Sequence, residues 1–163
     1  MSEPQGQILP GSEFGDCLTE IAKECETILE IGTWRGLGST LCLSKGLIRP
    51  KQRMWTVDQA FDMWVEAKAH YIYEQRIRFL NAHTMDILDE IPMSIDLVLF
   101  DGSDDQTDGE FDTLIGRINK YAAFDDTIER KNYRQIGLMN SMGWNMIHGS
   151  SVQRNGWAVF KKP

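Results

Sequence analysis

A glycine-rich loop that begins with an acidic residue carries the clearest chemical signal in the sequence. It reads Glu30-Ile31-Gly32-Thr33-Trp34-Arg35-Gly36-Leu37-Gly38-Ser39-Thr40. Glycine lets a ligand approach the backbone closely, and the N–H groups at the start of the helix that follows favour anionic or carboxylate groups. The loop is therefore predicted to bind a ligand. A loop that needs glycine only for packing is the alternative.

The glycine spacing and two acids narrow the choice of ligand. The pattern G-xxx-G-x-G differs from the G-x-G-x-x-G that is typical of dinucleotide binding. A carboxylate at Glu30 is out of place beside a pyrophosphate but suits the ammonium and sulfonium groups of a methionine moiety. Asp58 ends the next apolar run and can accept hydrogen bonds from both ribose hydroxyls of an adenosine. A solvated aspartate at the end of a strand is the alternative for Asp58.

The elements that must position these residues alternate between helix and strand. Apolar residues at helical spacing predict a first helix from Phe14 to Cys25, and short apolar runs predict strands. The last twenty residues predict a hairpin around a turn rich in glycine and serine. The strands are predicted at 27–32, 54–58, 77–81, 95–102 and 121–126, and the helices at 39–46, at 61–75, over Phe111, Leu114, Ile115 and Ile118, and at 131–142.

This alternation predicts an α/β fold, a Rossmann-like doubly wound sheet of about seven strands, mostly parallel with an antiparallel C-terminal strand. Residues 1–12 are predicted as an N-terminal tail and residues 13–163 as one domain. Ligands of such sheets bind beyond the carboxyl ends of the strands, where the strand order reverses. The residues that follow the predicted strands are therefore expected to meet at one edge.

Composition narrows the classes of protein and partner. The chain has 163 residues, which suits one domain, and a net charge of -7 with a pI of about 4.9. Nucleic acid is a disfavoured partner because phosphate binding needs a positive surface. No apolar run is long enough for a membrane span. Cys17, Cys25 and Cys42 lack C-x-x-C spacing and no signal-peptide pattern is present, which predicts free thiols and a cytoplasmic protein.

Five segments, in order along the chain, resemble the class I S-adenosylmethionine-dependent methyltransferases. They are EIGTWRGLGST, TVDQ, NAHTMDILDEIP, IDLVLFDGSDD and AAFDDT. Within that family the sequence looks most like the branch of macrocin-type O-methyltransferases and cephalosporin-hydroxylase-like proteins. The resemblance covers residues 25–130 well and the final hairpin loosely. Its specific parts are the first loop and the D-G-S after the fourth strand.

The resemblance implies S-adenosylmethionine (SAM) as cofactor and methyl transfer to a small-molecule acceptor, with a hydroxyl group as the expected acceptor. The first loop would surround the methionine part, Asp58 would bind the ribose, and the residues after the third strand would lie by the adenine. Asp101 and Asp104 are the catalytic candidates. The cofactor-binding residues implied are Glu30, Gly32, Thr33, Trp34, Gly36, Gly38, Ser39, Asp58, Gln59, Ala82, His83, Thr84 and Asp101.

A metal site is also implied by the resemblance. Metal-dependent O-methyltransferases, which this branch resembles, hold a hard cation with an aspartate after the fourth strand and an acidic or amide pair after the fifth. Asp101, Asp125 and Asp126 match these positions, which implies Mg²⁺ or Ca²⁺, ions that prefer oxygen ligands. A cation there would lower the pKa of a substrate hydroxyl. The alternative is that Asp125 and Asp126 cap the helix that follows.

Three departures limit the resemblance. The Gly-Gly usual before the fifth strand is replaced by Asn-Lys-Tyr, Asp104 stands where a histidine often follows D-G-x, and little chain is left for a lid over the substrate. The substrate class therefore does not transfer. A non-catalytic SAM-binding protein and a nucleotide or nucleotide-sugar binder are the alternatives, and a homodimer is an open expectation.

Overall fold

The computed structural model describes residues 3–128, 130–153 and 155–163. Helices and strands alternate through most of the chain, as the sequence predicts. The helices are α1 (Glu13–Glu24), α2 (Ser39–Lys45), α3 (Phe61–His70), α4 (Thr107–Leu114) and α5 (Arg130–Ser141). The strands are β1 (Thr27–Ile31), β2 (Arg53–Asp58), β3 (Ile77–Asn81), β4 (Ile95–Phe100), β5 (Ile118–Asp125), β6 (Asn145–Ser150) and β7 (Trp157–Lys161).

The strands form one seven-stranded sheet in the order β3-β2-β1-β4-β5-β7-β6. The five strands from β3 to β5 run parallel, and β7 pairs antiparallel with both β5 and β6. The predicted fold class is thereby confirmed. The strand order reverses between β1 and β4, so the carboxyl ends of these two strands mark the expected ligand site.

Apolar cores cover both faces of the sheet. Every residue of β4 is buried, with Leu97 and Leu99 in the core on one face and Val98 and Phe100 in the core on the other. This explains the continuous apolar run in the sequence, because a parallel strand covered on both sides cannot alternate with polar residues. Phe14 stacks on Trp157 with ring centroids 4.7 Å apart, which ties α1 to β7.

Most element boundaries differ from the predicted ones by one or two residues, and the largest differences are at the end of α3 and the start of β5. Helix α3 ends at His70 rather than at residue 75, since Tyr71 leaves the helical conformation with φ −117° and ψ 26°. Ile118, which was predicted to lie on a helix, is the first residue of β5 and is fully buried. Helix α4 ends at Leu114 and a short 3₁₀ turn, Ile115–Arg117, leads into the strand, so helical spacing alone misplaced this apolar residue.

Residues 3–12, part of the predicted tail, pack on the body of the protein. Ile8 is only 3% exposed, and the Gln5 N–H donates to the Leu37 carbonyl at 3.1 Å. The Ser12 side chain accepts from the Gly15 N–H and caps α1. The chain therefore begins its packing before the domain boundary that was predicted at residue 13.

The three cysteines are free thiols, as predicted, and Cys25 and Cys42 are buried. Among the described residues, no helix is long and apolar enough to span a membrane.

Candidate functional site

A cavity of about 500 Å³ opens at the carboxyl ends of β1 and β4. Its volume lies in the range of small-molecule and cofactor sites. The glycine-rich loop, the ends of β2, β4 and β5, and the start of α4 all contribute to its wall. Predicted residues at the wall are Gly32, Thr33, Trp34, Gly38, Ser39, Asp58, Gln59, Ala82, Thr84, Asp101, Asp125 and Asp126.

The loop after β1 is fixed where it crosses the end of β4. Gly32 has φ +96°, and a Cβ at this position would lie 2.2 Å from the Asp101 carbonyl oxygen. Only glycine permits both that conformation and that close approach. The Asp101 N–H in turn donates to the Ile31 carbonyl at 3.0 Å. The backbone that carries Asp101 and the loop that follows Glu30 are therefore locked together.

Glu30 is fully buried behind the cavity wall. Its Oε2 accepts hydrogen bonds from the hydroxyls of Thr40 at 2.7 Å and Thr56 at 2.6 Å. Its Oε1 accepts none from the described residues. Burial raises the pKa of Glu30 to about 7, and the largest opposing influences are neutral hydroxyl groups rather than cations. The site therefore holds a buried acid that lacks a positive partner.

Asp58 lies at the cavity wall with both oxygens fixed by backbone donors. Its Oδ2 accepts from the Trp34 N–H at 2.7 Å, and its Oδ1 accepts from the Ala60 N–H at 2.8 Å. Trp34 has φ +46°, an uncommon conformation for a residue other than glycine, and the hydrogen bond to Asp58 helps to hold it there. Each carboxylate oxygen keeps a further lone pair for a ligand hydroxyl.

Asp101, Asp125 and Asp126 lie together, as the sequence predicted for a shared site. Each offers a carboxylate oxygen, and these oxygens lie within 4.8 Å of one another. Lys131, which the sequence analysis missed, lies among them. Its Nζ donates to Asp101 Oδ1 at 2.8 Å and forms an ion pair with Asp126 Oδ2 at 3.2 Å. The four charged groups form what we call the acidic cluster and its lysine.

Lys131 offsets part of the cost of burying these carboxylates beside one another. Burial raises the pKa of Asp101, and the positive charge of Lys131 opposes that rise. Burial alone would lower the pKa of Lys131, but the carboxylates of Asp101 and Asp126 outweigh it and the net shift is upward. Lys131 is therefore a fixed ammonium within the site. The only sequence signal for it was its place in the helix that directly follows Asp125 and Asp126.

The cap predicted for Asp125 and Asp126 stays a prediction, because Glu129, just before α5, lies outside the described residues. What the structure does show is that the Asp126 carboxylate accepts from Lys131. The Asp125 carbonyl oxygen accepts from the Asn132 side-chain amide.

Four of the predicted site residues are not part of the cavity wall: Glu30, Gly36, His83 and Asp104. A Cβ at Gly36 would meet Ala67 on α3 at 3.0 Å, so this glycine permits close packing of the loop on the helix. His83 and Asp104 are exposed and are not part of the wall. Further residues complete the wall: Gly6, Gln7, Ile8, Ile31, Val57, Ala60, Gly102, Ser103, Gln106 and Glu110.

Comparisons with known proteins give similarity in fold rather than in sequence. No family model matches the chain, and no curated protein matches it. Among solved structures, the chain is similar to an O-methyltransferase from Bacillus cereus in complex with SAH (16% identity, TM-score 0.78, 97% of this chain and 84% of the other). It is also similar to the SAH-bound methyltransferase PaMTH1 from Podospora anserina (16% identity, TM-score 0.74, 91% and 77% covered).

A third similar structure is the O-methyltransferase TomG from Streptomyces achromogenes, involved in tomaymycin synthesis, in complex with SAM (17% identity, TM-score 0.71, 90% and 78% covered). The TM-scores and the coverage establish a shared architecture over nearly the whole chain. The chain has the Rossmann-like fold of the class I SAM-dependent O-methyltransferases, the family that its sequence resembles.

Proposed function

We propose that this chain binds SAM in the cavity at the ends of β1 and β4 and transfers its methyl group to the hydroxyl of a small-molecule acceptor. The observation that carries the proposal is Glu30, a buried acid whose Oε1 accepts no hydrogen bond from the described residues. A ligand with an ammonium or sulfonium group would supply the missing positive charge. SAM- and SAH-bound structures of the same fold support this choice of ligand.

The residues present fit SAM. The cavity has the volume of a cofactor site, and Asp58 at its wall can accept from the ribose hydroxyls. Ala82 and Thr84 follow β3 and would border the adenine, and Gly32, Gly38 and Ser39 would border the methionine part. A nucleotide or nucleotide sugar fits less well, because its phosphates would meet Asp58 and Asp101 at the wall. Among the described residues no arginine or lysine lines the cavity, and the nearby Lys131 is already paired with Asp101 and Asp126.

The chain's contribution to methyl transfer is mainly position. Bound SAM would supply an electrophilic methyl group: as the acceptor oxygen formed a bond to that carbon, the S–C bond would break to leave SAH, and the hydroxyl proton would be lost to a carboxylate at the wall or to water. Asp58 and the glycine-rich loop hold the cofactor at one end of the cavity, and Asp101 lies at the switch point where the acceptor would meet it. Asp101 can accept a hydrogen bond from the acceptor hydroxyl. Asp104 has no part in this proposal because it lies outside the cavity wall.

The metal predicted at Asp101, Asp125 and Asp126 is tested by the groups around it. Carboxylates are suitable oxygen ligands, and these three are close enough to share an ion. Lys131, however, already supplies a positive charge to two of them. The residues present do not fit a divalent cation, and no step is assigned to one.

Calorimetric titration with SAH tests the proposal most directly. We expect saturable binding to the wild-type chain and none for a nicotinamide dinucleotide at the same concentration. A wild-type chain that gives neither heat nor thermal stabilisation with millimolar SAH would rule out the cofactor. Transfer of a labelled methyl group from SAM to a panel of small hydroxyl compounds then separates an enzyme from a non-catalytic SAM-binding protein.

A further inference from the structure

Lys131 places a positive charge inside a cluster of three carboxylates at the cavity wall. Its side chain is 7% exposed, and the side chains of Asp101 and Asp126 are 23% and 22% exposed. An ammonium held between two carboxylates with little access to water is a strong, specific contact rather than a loose surface pair. The ammonium is therefore part of the site and not a passing neighbour.

The helix that carries Lys131 is anchored at the same point. Asn132, the next residue, is fully buried, and its amide donates to the carbonyl oxygens of Phe100 at 3.3 Å and of Asp125. These carbonyls belong to the ends of β4 and β5. Asn132 thus pins the first turn of α5 across both strand ends, which fixes the backbone from which Lys131 reaches the carboxylates.

A divalent cation shared by these carboxylates would compete with the ammonium, which already binds Asp101 Oδ1 and Asp126 Oδ2, although Asp126 Oδ1 accepts no hydrogen bond from the described residues. Mg²⁺ holds its oxygen ligands at about 2.1 Å and Ca²⁺ at about 2.4 Å. An ion bound to the same oxygens would lie against Nζ or displace it, and an ion bound to the other oxygens of these carboxylates would still lie close to Nζ, where two positive charges repel. Charge repulsion therefore disfavours a divalent ion at these carboxylates while Lys131 is in place.

We propose that the ammonium of Lys131 is the resident cation of this cluster, so that Asp101, Asp125 and Asp126 bind no divalent metal ion while Lys131 is present. Loss of that ammonium would turn the cluster into a divalent-cation site. One consequence rests on the proposed function: methyl transfer by this chain would proceed unchanged in the presence of a chelator. The binding claim itself does not depend on that function.

Titration of the purified chain with Mn²⁺ tests the proposal. Binding is measured as a decrease in the electron paramagnetic resonance signal of free Mn²⁺. The wild-type chain is expected to leave the signal of free Mn²⁺ undiminished and to show no change in melting temperature with Mn²⁺, Mg²⁺ or Ca²⁺. Lys131→Met removes the ammonium and keeps the length of the side chain. We expect it to bind Mn²⁺ saturably, at least tenfold more tightly than the wild-type chain, and to melt at a higher temperature when the ion is added.

Lys120→Met is the matched control. Lys120 lies near the start of β5, away from the cluster, and pairs with Asp96, so the substitution removes one paired lysine and alters the net charge equally. It should behave like the wild-type chain. Saturable binding by the wild-type chain would overturn the proposal, and so would a folded Lys131→Met chain that binds no ion. If Lys131→Met does not fold, Lys131→Gln replaces it, and the wild-type titration alone can still overturn the claim. SAH binding, measured in the same samples, reports separately on the proposed function.

Discussion

Two acidic regions at the same end of the sheet differ in how their negative charge is compensated. Glu30, at the end of β1, is buried among the hydroxyls of Thr40 and Thr56 and has no cationic partner in its hydrogen bonds. The acidic cluster, at the ends of β4 and β5, contains Lys131. Negative charge that no side chain compensates can be compensated by a bound cationic ligand. This contrast is the physical basis of both proposals.

The two regions are nevertheless joined. Gly32 follows Glu30 by two residues and lies against the backbone of Asp101, so no side chain separates them. Asp101 also raises the pKa of Glu30 through its charge. A substitution in one region is therefore expected to alter the electrostatics of the other. Substitutions that alter one charge at a time can separate the contributions of the two regions.

The largest expected effect is the loss of stability on Lys131→Met. Removing one partner of a buried ion pair leaves uncompensated charge, and here the cost should be about 3 kcal/mol at pH 8. Asp101 can relieve part of this by taking up a proton, so the loss should grow as the pH rises. Urea denaturation at several pH values measures it. Lys120→Met, which breaks a more exposed pair, should cost less than about 1 kcal/mol; an equal cost for both variants would contradict the distinction.

Glu30→Gln should raise the free energy of unfolding, whereas Lys131→Met should lower it. The pKa of Glu30 in the folded chain is about 7, above its ordinary value of 4.5, so the folded state binds more protons than the unfolded state between these values. Its contribution to stability is therefore complete below pH 4.5 and is lost as the pH rises through 7. Glutamine removes that loss, so the variant should be more stable than the wild-type chain at pH 8, by up to about 3 kcal/mol, and nearly equal to it at pH 5.

The same substitution should weaken the binding of ligands that carry an ammonium group. SAH should bind less tightly to Glu30→Gln, whereas adenosine, which lacks the amino acid part, should bind equally to both chains. Calorimetry at pH 8 compares the two ligands. Gained stability with lost SAH affinity would show that Glu30 is kept for binding rather than for folding. A variant that binds SAH as well as the wild-type chain does would remove Glu30 from the site.

Asp58→Ala should change binding more than folding. Its loss removes an acceptor for the ribose hydroxyls and should weaken SAH binding by about 1–3 kcal/mol, the range for hydrogen bonds to a charged group. It also releases the N–H groups of Trp34 and Ala60, but both lie where water can replace the carboxylate. Asp62→Ala on the exposed face of α3 is the control and should leave SAH affinity unchanged. Equal effects of the two substitutions would move the ribose site elsewhere.

What the sequence predicted well depends on local pattern. Strand β4 was predictable because burial on both faces requires an apolar run. The glycines and acids that follow β1, β2 and β4 were predictable because ligand-binding residues of such sheets lie at the strand ends. Lys131 was not readable, because its role depends on where the first turn of α5 meets β4 and β5. The contact of Gly36 with Ala67 was not predictable either, because it arises only when α3 packs on the loop. Tertiary packing decides such residues.

The smallest expected effect is that of Asp104→Asn. This substitution tests whether a residue that is close to Asp101 in sequence also belongs to the site. Asp104 is three residues from Asp101 and was predicted to be catalytic, yet it is exposed and does not reach the cavity wall. Solvent screens its charge, so Asp104→Asn should change the free energy of unfolding by no more than about 0.5 kcal/mol. SAH affinity and any methyl transfer should also stay within twofold of the wild-type values. Asp101→Asn, the matched change at the wall, should lower stability because it removes one of the two carboxylates that hold Lys131. A loss of methyl transfer in Asp104→Asn as large as that in Asp101→Asn would mean that the loop after β4 moves Asp104 into the site when ligands bind.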